Sequence, residues 1–98
     1  MSDYTISEIK KIIRPIAEKH GVKKISLFGS RARGDNRTDS DYDFLVTNGK
    51  IDSLLKHAAL LIDLEESLNS EVDVVMDSSN DLDFISEAKS DEVVLYEN

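Results

Sequence analysis

Two aspartates spaced by one residue, Asp41 and Asp43, follow a Gly-Ser pair at Gly29 and Ser30 within one short stretch of the chain. Residues two apart on a strand project from the same face, so the two carboxylates would lie side by side. Neighbouring carboxylates repel each other, and the pKa of one rises, unless a cation lies between them. Oxygen ligands of this kind favour Mg²⁺, which usually keeps water and substrate phosphate in its shell. The pair therefore predicts a magnesium site.

The Gly-Ser pair ahead of the aspartates has the features of a phosphate-binding turn. Gly29 permits close approach of the backbone, whose N–H groups could hold a phosphate oxygen, and the Ser30 hydroxyl could add a hydrogen bond. Arg31 and Arg33 could neutralise a triphosphate through forked hydrogen bonds. Taken alone, each feature is more often structural: a surface turn, solvated charges, or aspartates on an edge strand. Their occurrence together favours a nucleotide site.

Asp73 is the candidate for a third carboxylate. It lies in a predicted third strand, where parallel pairing could bring it beside Asp41 and Asp43. Three carboxylates on neighbouring strands are what a two-metal phosphoryl-transfer site needs. Glu71 shares a strand face with Asp73 and is the alternative.

The helices and strands that must position these residues follow from capping signals and apolar periodicity. Thr5 and Glu8 form a capping box that should open a helix, Gly21 should close it, and Pro15 should kink it or break it into two short pieces. The chain should then form, in order, a strand over 22–28, a helical turn after the Gly-Ser pair, a strand over 41–47, a turn at Asn48-Gly49, a helix over 51–68, a strand over 71–76, a short helix over about 80–88, and a strand or docked tail over 93–97.

These elements predict a small mixed sheet. The strand–helix–strand unit across 41–76 implies a right-handed crossover and parallel pairing, whereas the short connection between the first two strands suits antiparallel pairing. We expect an α/β (α+β) fold, with three to four strands packed with helices in a single domain over 1–98.

One side of the helix over 51–68 should face the core, and the apolar residues on that side are Ile51, Leu54, Leu55, Ala58, Leu61 and Ile62. Leu60 and Leu64 fall away from it. Together with Val93, Val94 and Leu95, they either complete a small core or a self-association surface, or face a protein partner.

Composition limits the partners. The net charge is −8, and residues 63–98 hold one basic residue, Lys89, so direct nucleic-acid binding is not expected. There are no cysteines, no signal-peptide core and no apolar run near the roughly 18 residues of a membrane span, which predicts a cytoplasmic protein. His20 and His57 are isolated and should be surface or helix-end residues.

The run Gly-Ser-Arg-Ala-Arg-Gly at 29–34 and the run Ser-Asp-Tyr-Asp-Phe-Leu-Val at 40–46 resemble the signature of the DNA polymerase β-like nucleotidyltransferases. Within these, the chain is most similar to the minimal nucleotidyltransferase (MNT) family of bacteria and archaea. The N-terminal helix, "VKKISLFGS", "EVDVV" and "VLYE" extend the resemblance over most of the chain. Tyr42 and Phe44 stand where the family usually has aliphatic residues, a departure that concerns packing more than chemistry.

The resemblance implies a minimal nucleotidyltransferase fold, similar to the palm of polymerase β, and a role for each motif residue. Two Mg²⁺ ions would assist transfer of a nucleoside monophosphate, commonly AMP from ATP, with release of pyrophosphate. The third carboxylate would also help to deprotonate the acceptor hydroxyl, and the "VDVV" match favours Asp73 over Glu71 for it. The implied metal-binding and catalytic residues are Asp41, Asp43 and Asp73. The implied nucleotide-binding residues are Gly29, Ser30, Arg31, Arg33 and Ser40.

Many small members of this family are encoded beside a HEPN-domain ribonuclease toxin and act as its antitoxin. The resemblance therefore implies a type VII-like system in which the chain neutralises its toxin by transferring AMP to a toxin tyrosine. Neutralisation by binding and occlusion alone is one alternative. A standalone transferase acting on a small-molecule hydroxyl is a second, and a metal or nucleotide sensor is a third. The chain has little length left for an acceptor pocket, which favours an acceptor supplied by another protein.

Overall fold

A computed structural model of the chain describes residues 4–34, 37, 41–47, 53–76 and 90–98. The first helix, α1, spans Ile6–His20 and has the predicted caps. The Thr5 hydroxyl accepts a hydrogen bond from the Glu8 N–H, and the Glu8 carboxylate accepts one from the Thr5 N–H. Gly21 ends the helix at φ +68°, a left-handed conformation that glycine adopts without strain.

Pro15 lies inside α1, which is one continuous helix, so the predicted break into two pieces was wrong. A proline in a helix removes the hydrogen bond to the carbonyl four residues earlier, which here belongs to Lys11. Both Pro15 and Lys11 are exposed, so water can solvate the freed carbonyl. The helix therefore continues through the proline on its solvent side.

The remaining elements form a four-stranded sheet with one short and one long helix. The strand order is β3-β2-β1-β4; β2 and β3 are parallel, and β1 is antiparallel to both β2 and β4. The predicted fold class and both predicted pairings are confirmed, whereas the turn at 48–49 and the helix over about 80–88 lie outside the described residues. In chain order the elements are β1 (Lys24–Phe28), α2 (Ser30–Arg33), β2 (Tyr42–Thr47), α3 (Leu54–Leu68), β3 (Val72–Met76) and β4 (Val93–Glu97).

The main core lies between one face of the sheet and the helices α1 and α3. It is built from aliphatic residues of both helices and from alternate residues of the strands. The largest fully buried members are Ile9, Ile13, Ile25, Leu27, Tyr42, Phe44, Leu60, Leu64 and Leu68. Leu95 of β4 also belongs to this core, while its neighbour Val94 is exposed.

The predicted orientation of α3 was wrong. Leu60 and Leu64 are fully buried, so they complete the core, whereas Leu54 and Leu55 are 85% and 81% exposed and Ile62 is 52% exposed. The helix is apolar around more than half of its circumference, so its own periodicity cannot decide which side packs against the rest of the fold. Contacts with α1 and β3 decide it, because they meet the side that carries Leu60 and Leu64.

The opposite face of the sheet carries a small second cluster of apolar residues. Phe28 and Leu45 are buried there, and the partly buried Val75 packs against them. No helix in the described ranges is both long enough and apolar enough to cross a membrane.

Candidate active site

Strand alternation separates the apolar and acidic residues of β2. Tyr42 and Phe44 belong to the main core, so Asp43 between them lies on the opposite face of the sheet. In the register of the sheet, Asp43 pairs with Phe28 of β1 on one side and with Asp73 of β3 on the other. Two of the predicted carboxylates are therefore direct neighbours on adjacent parallel strands.

Asp41 and Asp73 flank Asp43 at the open end of this face. Asp41 immediately precedes β2 and is exposed, as is Asp73, while Asp43 is half-buried. We call the three residues the carboxylate face. Glu71, the alternative third carboxylate, precedes β3 and is exposed, and its carbonyl accepts a hydrogen bond from the Tyr42 N–H at 3.1 Å. Asp73 is the better placed of the two, because it pairs directly with Asp43.

The turn after β1 touches the carboxylate face. Gly29 has φ +75° and ψ −155°, a conformation open only to glycine. A Cβ at this position would lie 2.5 Å from Asp43 Oδ2 and 3.3 Å from Asp43 Cγ. The backbone of the predicted phosphate turn therefore packs directly against the central carboxylate, which joins the two halves of the sequence motif.

A single helical turn, α2, continues from this glycine. The Gly29 carbonyl accepts hydrogen bonds from the N–H groups of Ala32 and Arg33, both at 3.1 Å, and the Ser30 carbonyl accepts one from Gly34 at 2.9 Å. These bonds fix the turn internally.

The two arginines of α2 lie in different surroundings. Arg31 is 8% exposed, and its guanidinium carbon lies 3.9 Å from the centroid of the Tyr42 ring. Arg33 is exposed and forms an ion pair with Asp91, with Nη1 and Oδ2 2.9 Å apart. Sequence reasoning found neither partner: Asp91 is far away along the chain, and Tyr42 was noted only as a departure from an aliphatic pattern. The remaining predicted nucleotide-binding residue, Ser40, lies outside the described residues.

The electrostatics of Asp43 reflect its position. Burial raises the pKa of Asp43, and the negative charges of Asp73 and Asp41 raise it further. The positive charges of Arg33 and Arg31 act in the opposite direction and lower it. The ionised carboxylate is therefore disfavoured at this place unless a cation is added.

The carboxylate face fits Mg²⁺ by its donor chemistry. Within the described ranges no three histidine or acidic side chains already converge as metal ligands. Magnesium does not need such a cage, because it is usually bound by one or two carboxylates and completes its shell with water and substrate phosphates. The Gly29 backbone lies against the Asp43 side chain, so the turn and the carboxylate face are direct neighbours.

A small mixed sheet with a Gly-Ser turn against paired aspartates is the arrangement of a nucleotidyltransferase. The chain belongs to the family Polymerase beta, Nucleotidyltransferase, which it matches over residues 10–98.

Two relatives support the same activity. A protein of Methanocaldococcus jannaschii, named as a candidate protein adenylyltransferase, is 51% identical over 70 residues, which are 71% of this chain and 75% of the relative. The protein adenylyltransferase MntA of Thermococcus cleftensis is 42% identical over 83 residues, which are 81% of this chain and 84% of the relative. The chain is thus an enzyme of the nucleotidyltransferase class.

Solved structures share the fold. A candidate minimal nucleotidyltransferase matches with a TM-score of 0.80 at 30% identity, covering 95% of both chains. A toxin–antitoxin complex with AMP-PNP matches with a TM-score of 0.78 at 22% identity, covering 91% of this chain and 73% of that chain. A complex of a tri-AMPylated Shewanella oneidensis HEPN toxin with an MNT antitoxin matches with a TM-score of 0.74 at 19% identity, covering 96% and 74%.

Proposed function

We propose that this chain is an Mg²⁺-dependent protein adenylyltransferase that transfers AMP from ATP to a tyrosine of a HEPN-type toxin and so acts as its antitoxin. The observation that carries the proposal is the contact of the Gly29 backbone with Asp43, since it joins the predicted phosphate-binding turn to a predicted metal-binding carboxylate. The relatives named as adenylyltransferases, and the toxin–antitoxin complexes that share the fold, support the choice of donor and acceptor.

In the proposed reaction, the phenol oxygen of the acceptor tyrosine forms a bond to the α-phosphorus of ATP. The bond from that phosphorus to the oxygen bridging to the β-phosphate breaks, and pyrophosphate leaves. Asp41, Asp43 and Asp73 would hold Mg²⁺, which supplies positive charge to the triphosphate. Gly29 and Ser30 would hold the phosphates against this face, with Arg33 adding charge from its side. Exposed Asp73 would accept the phenol proton.

The test of the catalytic proposal is intact-mass analysis of a HEPN-type partner after incubation with this chain, ATP and Mg²⁺. We expect the partner to gain AMP, and Asp43→Asn to lower the rate by at least about a hundredfold, because the charge that holds the metal is lost. Glu18→Gln is the matched control, since it removes one exposed carboxylate on α1 that is paired only with Arg14 in the described structure. Equal rates for Asp43→Asn and the control would contradict the proposal.

The alternative, neutralisation by occlusion, is favoured by one feature, the exposed apolar side of α3. Leu54, Leu55 and Ile62 offer an apolar surface of the kind that protein partners cover. We expect the double change Leu54→Gln and Leu55→Gln to weaken toxin binding by about tenfold or more, with the exposed Lys10→Gln on α1 as the control.

Protection of cells from the toxin separates the two functions. If Asp43→Asn binds the toxin but no longer protects, catalysis is required. If Asp43→Asn protects as well as the unchanged chain, occlusion is sufficient and the transfer reaction is secondary.

A further inference from the structure

We propose that Tyr42 is a positioning residue: its ring and the Arg31 guanidinium hold the phosphate turn against the carboxylate face from behind. This rests on the proposed function, in which the turn and the carboxylates bind one nucleotide. It assigns to Arg31 a role different from the phosphate contact that the sequence motif suggests.

The stack is buried and tightly surrounded. Tyr42 is fully buried and Arg31 is 8% exposed, with 3.9 Å between the guanidinium carbon and the ring centroid. The ring of Phe44 stacks on Tyr42 with centroids 6.2 Å apart and an interplanar angle of 8°. Tyr4 covers it from another side at 6.5 Å, and the Tyr4 N–H lies 3.5 Å from the Tyr42 hydroxyl. The tyrosine ring is therefore a fixed platform.

The stack joins the two halves of the site on the face opposite to the chemistry. Tyr42 lies between Asp41 and Asp43 in the chain, and Arg31 comes two residues after Gly29. On the front of the sheet, the Gly29 backbone approaches the Asp43 carboxylate closely. On the back, the Arg31 side chain holds the same turn to the same strand, so a shift of the stack would move the turn relative to the aspartate.

A planar cation over an aromatic face explains why this pair suits the task. A guanidinium removed from water needs a partner, and attraction to a ring face is strongest when both groups are desolvated. An aliphatic side chain at position 42 would remove that attraction. A lysine at position 31 would keep the charge but not the planar stacking.

The test is a double-mutant cycle on AMP transfer with Arg31→Lys, Tyr42→Leu and both together. We expect each single change to lower kcat about tenfold, because a small misplacement of the phosphates slows the reaction, and to leave KM for ATP nearly unchanged. The double variant should be no slower than the slower single variant, because both changes break one contact. If Arg31→Lys raises KM for ATP by the same factor in the unchanged chain and in the Tyr42→Leu variant, Arg31 is a phosphate ligand and the proposal is overturned.

Two further variants separate positioning from a general loss of packing. Tyr42→Phe keeps the ring and should restore kcat to near that of the unchanged chain. Val46→Ala is the matched control, since Val46 is equally buried on the same strand and face but lies four residues further along and is not one of the stacked rings. It should lower the melting temperature as Tyr42→Leu does and leave the coupling to Arg31→Lys intact. A tenfold fall of kcat in Val46→Ala would assign the effect to the core as a whole.

Hydrogen exchange tests the stack without any acceptor protein. The amides of Arg33 and Gly34 are bonded within the turn at 3.1 and 2.9 Å. We expect Tyr42→Leu to speed their exchange about tenfold, and Tyr42→Phe and Val46→Ala to leave it unchanged. Unchanged exchange in Tyr42→Leu would overturn the positioning role. A failure of AMP transfer in the unchanged chain would instead contradict the proposed function, and this exchange result would still decide the role of Tyr42.

Discussion

Two aspartates of this chain, Asp43 on the carboxylate face and Asp63 on the side of α3 that faces α1, have pKa values shifted in opposite directions. Burial raises the pKa of Asp43, and neighbouring carboxylates raise it further. Hydrogen bonds from His20 and Lys19 lower the pKa of Asp63, with His20 Nε2 at 2.6 Å and Lys19 Nζ at 3.1 Å from its Oδ2. The ionised Asp43 therefore destabilises the folded chain, whereas the ionised Asp63 stabilises it.

The difference distinguishes the site proposed to bind a ligand from a contact that stabilises the fold. The contact at Asp63 is complete within the chain, because basic groups of α1 reach across to α3. The carboxylate face keeps like charges together beside an unusual glycine conformation, and both features are common at functional sites. Neutralising the two aspartates should therefore change stability in opposite directions, and only the change at Asp43 should lower activity.

The largest effect is expected from Gly29→Ala, which disturbs the carboxylate face most directly. The new Cβ would lie 2.5 Å from Asp43 Oδ2, in a backbone conformation that alanine rarely adopts. We expect the free energy of unfolding to fall by about 2 kcal/mol or more and AMP transfer to fall more than about a hundredfold. Urea unfolding and the mass-shift assay measure the two effects. Gly34→Ala is the control, since Gly34 is also left-handed but has open space around it. This variant should lose stability but much less activity than Gly29→Ala.

Asp43→Asn should lose activity but gain stability, unlike either glycine variant. Removing the charge relieves its burial and its repulsion by Asp73 and Asp41, so the melting temperature should rise by about 3 °C without metal. Saturating Mg²⁺ should stabilise the unchanged chain and have little effect on the variant, because only the former gains a metal contact. A variant that melts below the unchanged chain in metal-free buffer would contradict this view of the carboxylate face.

Asp63→Asn should lower stability and leave AMP transfer unchanged. The side chain of Asp63 is partly exposed, so the loss at pH 7 should be less than about 1 kcal/mol. Because the pKa of Asp63 is lowered in the folded chain, its contribution is present above its ordinary value of 3.8 and is lost as the pH falls through the lowered pKa. Urea unfolding of both proteins between pH 7 and pH 3 should therefore show a difference that shrinks on acidification. A difference that grows on acidification would exclude this assignment.

The carboxylate face was predictable because its determinants are local. A Gly-Ser pair after a strand, alternation along β2 and the parallel crossover to β3 are each dictated by short-range stereochemistry. Together they predicted that Asp43 and Asp73 would be neighbours, as the register shows. Whether these residues and Gly29 bind metal and nucleotide stays a prediction.

Features that depend on contacts between distant elements could not be predicted in the same way. The side of α3 that packs against the core was assigned wrongly, because a helix that is apolar around more than half of its circumference does not specify its own orientation. The ion pair of Arg33 with Asp91 joins residues far apart in the chain, and no local pattern marks it. The surroundings of Ser26 are a third case, since a serine inside a strand is ordinarily expected on its solvent side.

Ser26 is fully buried in β1, between the register partners Leu45 and Val94, and its hydroxyl has no hydrogen-bond partner in the part of the chain that the structure describes. A buried hydroxyl without a partner costs free energy that a methyl group does not. We expect Ser26→Ala to raise the free energy of unfolding by about 0.5 kcal/mol, the smallest effect in this series, and to leave AMP transfer unchanged. Urea unfolding at pH 7 tests the first point. A clear loss of stability would mean that the hydroxyl is satisfied by a buried water, and the cluster of Phe28 and Leu45, on the same face of the sheet as the carboxylates, would then be wet where the structure makes it apolar.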